Sequence, residues 1–224
     1  MGGGSSKRNP RPEELAEELS HADIQQIKKS LKLTDDDITM FWNAFCQIDV
    51  SNNRELSLEE FEKYYKLEGE AKRIFYFRLI FTRDLENKER AKVNFRDFVS
   101  RSWDFLSHDV NRFVFTLYDK DASETLSQAE SHEIAQALYG VKFGTNKHLD
   151  KQLENIDAKV GNGDGKISYD EFCKFTESHS NTNREGYYVQ DLMRRHIGGL
   201  SYWKKMTQRR SVEHGLQTFH QLMQ

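Results

Sequence analysis

The chain has 224 residues, 31% of them charged, and a formal net charge of -3 at pH 7. This length suffices for one large domain or two small lobes, and so balanced a charge excludes the strongly basic field that nucleic-acid binding requires. We therefore expect no nucleic-acid partner. No apolar run approaches the ~20 residues of a membrane span and no apolar signal-peptide core is present, so we expect a cytoplasmic protein.

The first eleven residues, which we expect to be disordered, carry an acylation signal. The run MGGGSS fits the acceptor pattern for N-myristoylation, with Gly2 exposed after removal of Met1 and Ser6 at the required place. The basic residues Lys7, Arg8 and Arg11 would add the second signal that membrane anchoring by one acyl chain needs. An unstructured Gly/Ser tail is the alternative. We favour acylation of Gly2 and association with a membrane surface.

Helical patterning follows the N-terminus. Apolar spacing predicts a helix over residues 12 to 32, and Thr34 with Asp37 predicts a capping box at the start of the next helix. Four helix-loop-helix units then fit between residues 35 and 178. A polar linker over residues 178 to 186 leads to a C-terminal segment, residues 187 to 224, whose helical pattern is interrupted at Gly198 and Gly199.

The loop from Asp119 to Glu130 has the strongest metal-binding pattern. A 12-residue loop supplies Ca²⁺ with oxygen ligands from positions 1, 3, 5, 7, 9 and 12, and position 6 is usually Gly. These ligand positions are occupied by Asp119, Asp121, Ser123, Thr125, Ser127 and Glu130. Glu124 stands at position 6, where a left-handed backbone would cost about 1 kcal/mol. We predict that this loop binds Ca²⁺ most tightly.

The loop from Asp49 to Glu60 has the same spacing but fewer charges. Its predicted ligands are Asp49, Ser51, Asn53, Glu55, Ser57 and Glu60. Only one carboxylate stands among positions 1, 3 and 5, and Arg54 replaces the glycine of position 6. Fewer charged ligands imply weaker binding.

The fourth unit leaves its register open. Counting back twelve residues from Glu171 puts Val160, which offers no side-chain ligand, at position 1, whereas the entering helix points to Asp157. We favour a 15-residue loop with three inserted residues, weaker than the Asp119 loop. Its predicted ligands are Asp157, Asn162, Asp164, the carbonyl of Lys166, Ser168 and Glu171.

The second unit lacks a usable ligand set. Its loop is too long, has no glycine, and contains Arg83, Lys88, Arg90 and Lys92, whose charges repel a cation. Val93 nevertheless keeps the apolar pattern of an exiting half. We predict a structural partner for the first loop that binds no metal.

Together these loops resemble the calcineurin-B-like branch of the EF-hand family, which includes calcineurin B, calcineurin-B homologous proteins, plant calcineurin-B-like sensors and, more distantly, recoverin-type sensors. The motifs are the three ligand loops, the degenerate second loop ending VNFRDF, YDKD at the third loop and the N-terminus, and they cover residues 1 to about 180. The resemblance implies an all-α fold of four EF-hands in two paired lobes, and helical patterning adds an N-terminal helix and a C-terminal helical extension that lies outside the resemblance. The corresponding segments are residues 12–106, 107–178 and 187–224.

The function that this resemblance implies is that of a Ca²⁺-binding sensor, which regulates a target protein by holding one of its helices in a hydrophobic groove. A phosphatase, a kinase or a transporter would be such a target. We expect no enzymatic activity, because no histidine pair has a metal spacing and no GxxxxGK[ST] loop is present. A Ca²⁺ buffer and a constitutive structural subunit of a complex are the alternatives.

The C-terminal segment carries its own prediction. Leu200, Trp203 and Met206 recur at helical spacing among basic residues such as Arg209 and Arg210, and Leu216, Phe219 and Met223 continue the apolar series. A basic amphipathic helix is the kind of ligand that EF-hand grooves bind. We predict that the segment folds back into the protein's own groove, with packing on the surface or on lipid headgroups as the alternative.

Overall fold

The computed structural model describes residues 12–67, 92–139, 162–178, 183–215, 217 and 219–223. This part of the chain is mostly helical, which confirms the all-α class. Its helices are α1 (Pro12–Ser20), α2 (Ala22–Leu31), α3 (Asp35–Ile48), α4 (Leu58–Tyr65), α5 (Phe95–Ser107), α6 (Val110–Tyr118), α7 (Gln128–Tyr139), α8 (Tyr169–Ser178), α9 (Arg184–His196), α10 (Leu200–Glu213) and α11 (Phe219–Leu222). Its strands are β1 (Glu55–Leu56), β2 (Val93–Asn94), β3 (Thr125–Ser127) and β4 (Lys166–Ser168).

Side-chain caps fix where several helices begin. Helix α3 starts at the predicted capping box, in which Thr34 Oγ1 accepts from Asp37 N and Asp37 Oδ2 accepts from Thr34 N. The single helix predicted over residues 12 to 32 is wrong. It is divided at His21, whose extended backbone and Nδ1, which accepts from Asp23 N, make it the N-cap of α2.

Two antiparallel strand pairs join the helix-loop-helix units. Leu56 lies opposite Val93 in β1 and β2, and Leu126 lies opposite Ile167 in β3 and β4. Each pair brings together position 8 of two successive loops, so the described parts of the loops are joined two by two. All four side chains are buried, and each short sheet therefore continues into the core of its lobe.

The first compact unit contains the described residues 12–67, 92–107 and 191–223. Its core is aromatic: the Phe95 ring stands edge-on to Trp42 at 4.8 Å and to Phe45 at 5.5 Å between centroids. Phe41 contacts Phe98 at 6.2 Å and, from the C-terminal segment, Trp203 at 6.0 Å. The end of the chain is thus part of this core.

The second unit contains the described residues 108–139, 162–178 and 183–190. Phe115 packs edge-on against Tyr169 and Phe172, with centroids 5.4 and 5.8 Å away. The polar linker predicted to extend to residue 186 ends earlier, because α9 begins at Arg184. Asn183, just before it, donates from Nδ2 to Asn111 Oδ1 at 2.6 Å, which holds the start of this helix on α6.

Two glycines separate α9 from α10, as the sequence pattern predicts. The N–H of Gly199 donates to the carbonyl of Arg194 at 2.8 Å, and Gly198 has φ +79°, which together end α9 in a Schellman-type turn. A Cβ atom on Gly198 would collide with Met40 Sδ. Glycine is therefore required both by the backbone angle and by this close approach.

Cys46 is buried and Cys173 is partly exposed, and the two are not joined by a disulfide. None of the described helices is long and apolar enough to cross a bilayer. The acylation signal at Gly2, with Lys7, Arg8 and Arg11, lies outside the described residues.

Candidate metal centres

The third loop gathers three carboxylates at one point. Oxygen atoms of Asp119, Asp121 and Glu130 lie within 4.8 Å of one another. Oxygens that ligate one Ca²⁺ at 2.3–2.6 Å lie no more than about 5 Å apart, so this spacing fits the ion. In the part of the chain that the structure describes, no second group of three His, Cys, Asp or Glu side chains converges in this way.

Backbone N–H groups hold these carboxylates in place. Asp119 Oδ1 and Oδ2 accept from the N–H groups of Ser123 and Glu124 at 2.9 and 3.1 Å. Glu130 Oε1 accepts from Lys120 N at 2.9 Å, while its Oε2 accepts from Ser127 N at 2.9 Å. The loop thereby wraps around its first and last predicted ligands, and backbone hydrogen bonds hold these two carboxylates in place.

Electrostatics distinguish the carboxylates of this cluster. Burial raises the pKa of Asp119, and hydrogen bonds from the Ser123 and Glu124 N–H groups offset only part of that effect. Burial also acts to raise the pKa of Glu130, but hydrogen bonds from Ser127 and Lys120 outweigh it and the pKa is lowered. The Ser123 hydrogen bonds lower the pKa of Asp121. A cation placed here would favour the charged form of all three.

The first loop repeats this set of hydrogen bonds from backbone N–H groups to the carboxylates at positions 1 and 12, which we call the backbone frame. Asp49 Oδ1 and Oδ2 accept from the N–H groups of Asn53 and Arg54 at 3.2 and 3.0 Å. Glu60 accepts from Ser51 N at 3.0 Å and Ser57 N at 2.9 Å. Burial acts to raise the pKa of Glu60, yet the hydrogen bonds from Ser57 and Ser51 lower it overall. The frame forms without a second acid among positions 1, 3 and 5.

Two basic side chains form ion pairs at this first loop, one from the loop itself and one from the second loop. Arg54 Nη1 pairs with Glu17 Oε2 on α1 at 3.1 Å, and its Nη2 lies 3.8 Å from Glu14 Oε1. Lys92 Nζ, at position 7 of the second loop, lies 2.9 Å from Glu55 Oε2. Sequence reasoning counted Lys92 as repulsive and noted Arg54 only as the residue that replaces glycine at position 6. It missed the acidic partners of Arg54, because no local pattern links this residue to residues 37 and 40 positions earlier.

The backbone angles settle the register of the exiting halves. Positions 4 and 6 have positive φ in the first loop, at Asn52 (61°) and Arg54 (63°), and in the third, at Ala122 (53°) and Glu124 (61°). In the fourth unit the same angles belong to Gly163 (76°) and Gly165 (80°). Glu124 and Arg54 therefore carry the left-handed strain that glycine avoids, about 1 kcal/mol each.

The described half of the fourth loop, residues 162–171, is ordered like the others. Lys166 N donates to Asp164 Oδ1 at 2.9 Å, and this hydrogen bond is the main reason that the pKa of Asp164 is lowered. Ser168 N donates to Glu171 Oε2 at 2.8 Å. Asp157, the predicted first ligand, lies outside the described residues, so the inserted 15-residue loop stays a prediction.

Only the end of the second loop lies within the described residues. Pairing of Val93 with Leu56 makes Val93 position 8 and Asp97 position 12. Asn94 Oδ1 accepts from Asp97 N at 2.9 Å, which caps α5 as Ser57 caps α4. Arg83, Lys88 and Arg90 lie outside the described part of the chain. The absence of metal from this loop stays a prediction.

Comparison with known proteins identifies a protein that is similar to most of this chain. No protein-family model matches the chain. Calcineurin B of Naegleria gruberi is 29% identical over 185 residues, which cover 79% of this chain and 93% of that protein. The similarity supports the resemblance to the calcineurin-B-like branch that the ligand loops carry. Over most of its length, this chain is therefore similar to a calcineurin B.

Proposed function

We propose that this chain is a Ca²⁺-binding regulatory protein that controls a target protein and catalyses no reaction itself. The observation that carries the proposal is the convergence of Asp119, Asp121 and Glu130 within 4.8 Å. Three carboxylates so close repel one another unless a cation balances them. The similarity to a calcineurin B supports a regulatory role.

The residues of the third loop would act together on the ion. Ca²⁺ supplies the positive charge that neutralises the cluster. Asp119 and Asp121 supply carboxylate oxygens, Ser123 and Ser127 lie where hydroxyl or water-bridged ligands belong, and Thr125 offers its carbonyl. Glu130 is held by two N–H groups from either end of the loop, Lys120 and Ser127, and so links the loop to α7. Movement of the Glu130 carboxylate toward a bound ion would therefore move α7.

Calorimetric titration of Ca²⁺ into the full chain tests the metal site. The Glu130→Gln variant is expected to lose the tightest binding step. Glu133→Gln is the matched control, since Glu133 lies one turn along the same helix and pairs with Lys120, at 2.6 Å, instead of joining the cluster. Equal loss in both variants, or none in Glu130→Gln, would refute the assignment.

A second measurement separates a regulator from a Ca²⁺ buffer or a constitutive subunit. We expect binding of a hydrophobic dye and capture of target proteins to change on Ca²⁺ addition, and Glu130→Gln to abolish the change. A buffer shows binding without this response, because its helices barely open. Unchanged dye binding and target capture would favour the alternatives.

The proposal extends to the membrane through Gly2. Mass spectrometry of the native protein is expected to find myristate on the Gly2 amine. The Gly2→Ala variant should partition less onto anionic vesicles, with Lys7, Arg8 and Arg11 adding about 1 kcal/mol each near the surface. Equal partitioning of the two proteins would exclude this anchor and leave the Ca²⁺ proposal intact.

A further inference from the structure

Helix α10 packs against the first unit through its middle and its last turn. Trp203 and Met206 are buried, whereas Leu200, which the sequence pattern places on the same face, is 40% exposed. The helix ends at His214, whose N–H donates to the carbonyl of Arg210 at 2.9 Å. The His214 side chain is only 8% exposed, so a titratable group is enclosed at the end of the helix.

The imidazole of His214 is enclosed without being satisfied. Its Nε2 is buried and has no hydrogen-bond partner among the residues that the structure describes. Glu213 Oε2 lies 4.0 Å from this atom, which is beyond hydrogen-bond distance. Native proteins contain few buried polar atoms in this state. Burial also disfavours the charged form of the ring, because the charge loses the hydration that it has in water.

The indole of Trp103, on α5, contacts two side chains of α10. The His214 ring stands nearly perpendicular to it, with centroids 6.2 Å apart, and the guanidinium of Arg210 lies over its face, 4.3 Å from the centroid. Arg210 is buried, and it donates from Nη2 to Asp104 Oδ1 at 2.9 Å and from Nη1 to Ser107 Oγ at 2.7 Å. The histidine is therefore held close to a cation that is already fixed in place.

One carboxylate serves the other cations around this histidine. Glu213 Oε2 lies 3.3 Å from Lys32 Nζ and 3.7 Å from Arg209 Nε. Arg209 also donates from Nη2 to the carbonyls of Leu31 and Lys32 at 3.1 and 2.9 Å, where the C-terminal end of α2 carries partial negative charge. These contacts hold the last turn of α10 against the end of α2.

The charges around His214 favour its neutral form. The described charged groups that surround it are three cations and two carboxylates from α2, α5 and α10: Lys32, Arg209, Arg210, Asp104 and Glu213. Three positive and two negative charges leave one positive charge in excess, and a proton on the imidazole would make it two. Burial lowers the pKa of His214, Lys32 and the two arginines lower it further, and Glu213 offsets only part of this effect.

Folding and protonation of His214 therefore oppose each other. Because its folded-state pKa lies below 6.5, the unfolded chain binds this proton more strongly than the folded chain does. Stability that is present above about pH 6.5 falls as the pH decreases, until the folded-state pKa is reached. Release of the last turn alone would give the imidazolium access to water, and it breaks fewer contacts than unfolding of the whole unit.

We propose that His214 is a pH sensor, whose protonation in mildly acidic solution releases the last turn of α10 from α2 and from Trp103 on α5. Histidine suits this role because its charge changes near neutral pH, and the packed turn is the element that the charge destabilises. The sensor uses no residue of the predicted Ca²⁺ loops. It gives the protein a response to protons that is separate from the proposed response to Ca²⁺.

An NMR titration of the full chain tests the sensor. The imidazole resonances of His214 are assigned with His214→Gln, and their titration is expected to give a pKa below 6.5. Lys32→Gln removes a cation that repels the imidazolium and should raise this pKa, whereas Glu213→Gln removes the adjoining carboxylate and should lower it further. Both variants break the same ion pair, Lys32 with Glu213 at 3.3 Å, so loss of that pair cannot explain opposite shifts. A pKa at or above 6.5, or shifts of the same sign, overturns the sensor.

Amide hydrogen exchange tests the release itself. Between about pH 7.5 and about pH 5.5, and after correction for the intrinsic effect of pH on exchange, the amides of residues 211–214 are expected to lose up to about tenfold in protection. Tenfold is the limit because an imidazole in water, with a pKa of about 6.5, is about 90% protonated at pH 5.5. In His214→Gln this loss of protection should disappear, because the amide side chain does not titrate.

Low concentrations of urea separate local release from unfolding of the whole unit. Local opening exposes little surface, so exchange at residues 211–214 should hardly respond to urea, whereas amides of α3 that exchange through global unfolding should respond strongly. Unchanged protection at the lower pH, or a urea response equal to that of α3, overturns the release. If His214→Gln does not fold, the opposite pKa shifts in Lys32→Gln and Glu213→Gln still test the sensor. None of these measurements requires Ca²⁺ to bind, so failure here and failure of the proposed function are distinguishable.

Discussion

The first and third loops share a backbone frame and differ in what fills it. In both, the carboxylate at position 1 accepts from the N–H groups of positions 5 and 6, and the Glu at position 12 accepts from positions near each end. The third loop adds Asp121 to this frame, whereas the first has Ser51 at the same position. We therefore expect the charge placed on the frame, rather than the frame itself, to set the Ca²⁺ affinity of each loop.

Position 6 extends the contrast. Both loops hold a non-glycine residue there at a φ near 60°, Arg54 in one and Glu124 in the other. Arg54 ties its loop to α1 through Glu17 at 3.1 Å. The first loop is thus coupled to the N-terminal helix α1.

The largest expected difference between the loops is the change in Ca²⁺ affinity when the predicted ligand at position 12 is removed. We expect Glu130→Gln to weaken the tightest Ca²⁺ step by more than about tenfold, because a charged bidentate ligand contributes more than ~1.4 kcal/mol. Glu60→Gln and Glu171→Gln should affect only weaker steps. Calorimetry on the three variants establishes the order, and loss of the tightest step in Glu60→Gln would reverse the comparison.

Exchanging one charge between the loops sharpens the comparison further. Asn53→Asp adds an acid at position 5 of the first loop and is expected to raise its Ca²⁺ affinity several-fold, by about 1 kcal/mol. Asp121→Asn removes an acid from the third loop and should lower its affinity by a similar factor. In a double variant that carries both changes, the Ca²⁺ affinities of the two binding steps are expected to lie closer together. Unchanged steps would mean that the frame, not the charge, sets affinity.

Sequence reasoning could assign candidate ligands to these loops because the 12-residue spacing is local. The positions of Asp49 and Glu60 follow from counting, and the structure keeps that count. The partners of Arg54 and Arg210 did not follow, since Asp104 lies 106 residues before Arg210 and only the folded chain joins them. A helical count through Trp203, Met206 and Arg210, all three of which are buried, would have placed this arginine on the inward face of α10.

Removing the charge of Arg54 tests the coupling to α1. Arg54→Gln is expected to raise Ca²⁺ affinity at the first loop modestly, by less than about threefold, since the cation is exposed and screened. Stability should fall by no more than about 1 kcal/mol, the usual contribution of an exposed ion pair. Hydrogen exchange of α1 should become faster. Arg195→Gln, which breaks a local Asp191 pair on α9, is the control and should leave α1 unchanged.

The smallest effect is the response of the metal-free protein to pH, and it has opposite signs within the third loop. Hydrogen bonds outweigh burial and lower the pKa of Glu130 below 4.5, so its charged form contributes stability that is present above pH 4.5 and is lost as pH falls through the folded-state pKa. Burial raises the pKa of Asp119 above 3.8, so its charged form costs stability that is regained as the pH falls.

Urea unfolding of the metal-free chain between about pH 7 and pH 4 measures both signs. Asp119→Asn is expected to stabilise the chain near neutral pH, and the gain should shrink as the pH falls toward 4. Glu130→Gln should destabilise it near neutral pH, with a loss that also shrinks below about pH 4.5. Asp170→Asn, an exposed change on α8 outside the ligand set, controls for net charge. If Asp119→Asn and Glu130→Gln shift stability in the same direction, the opposite electrostatics of the two carboxylates are wrong.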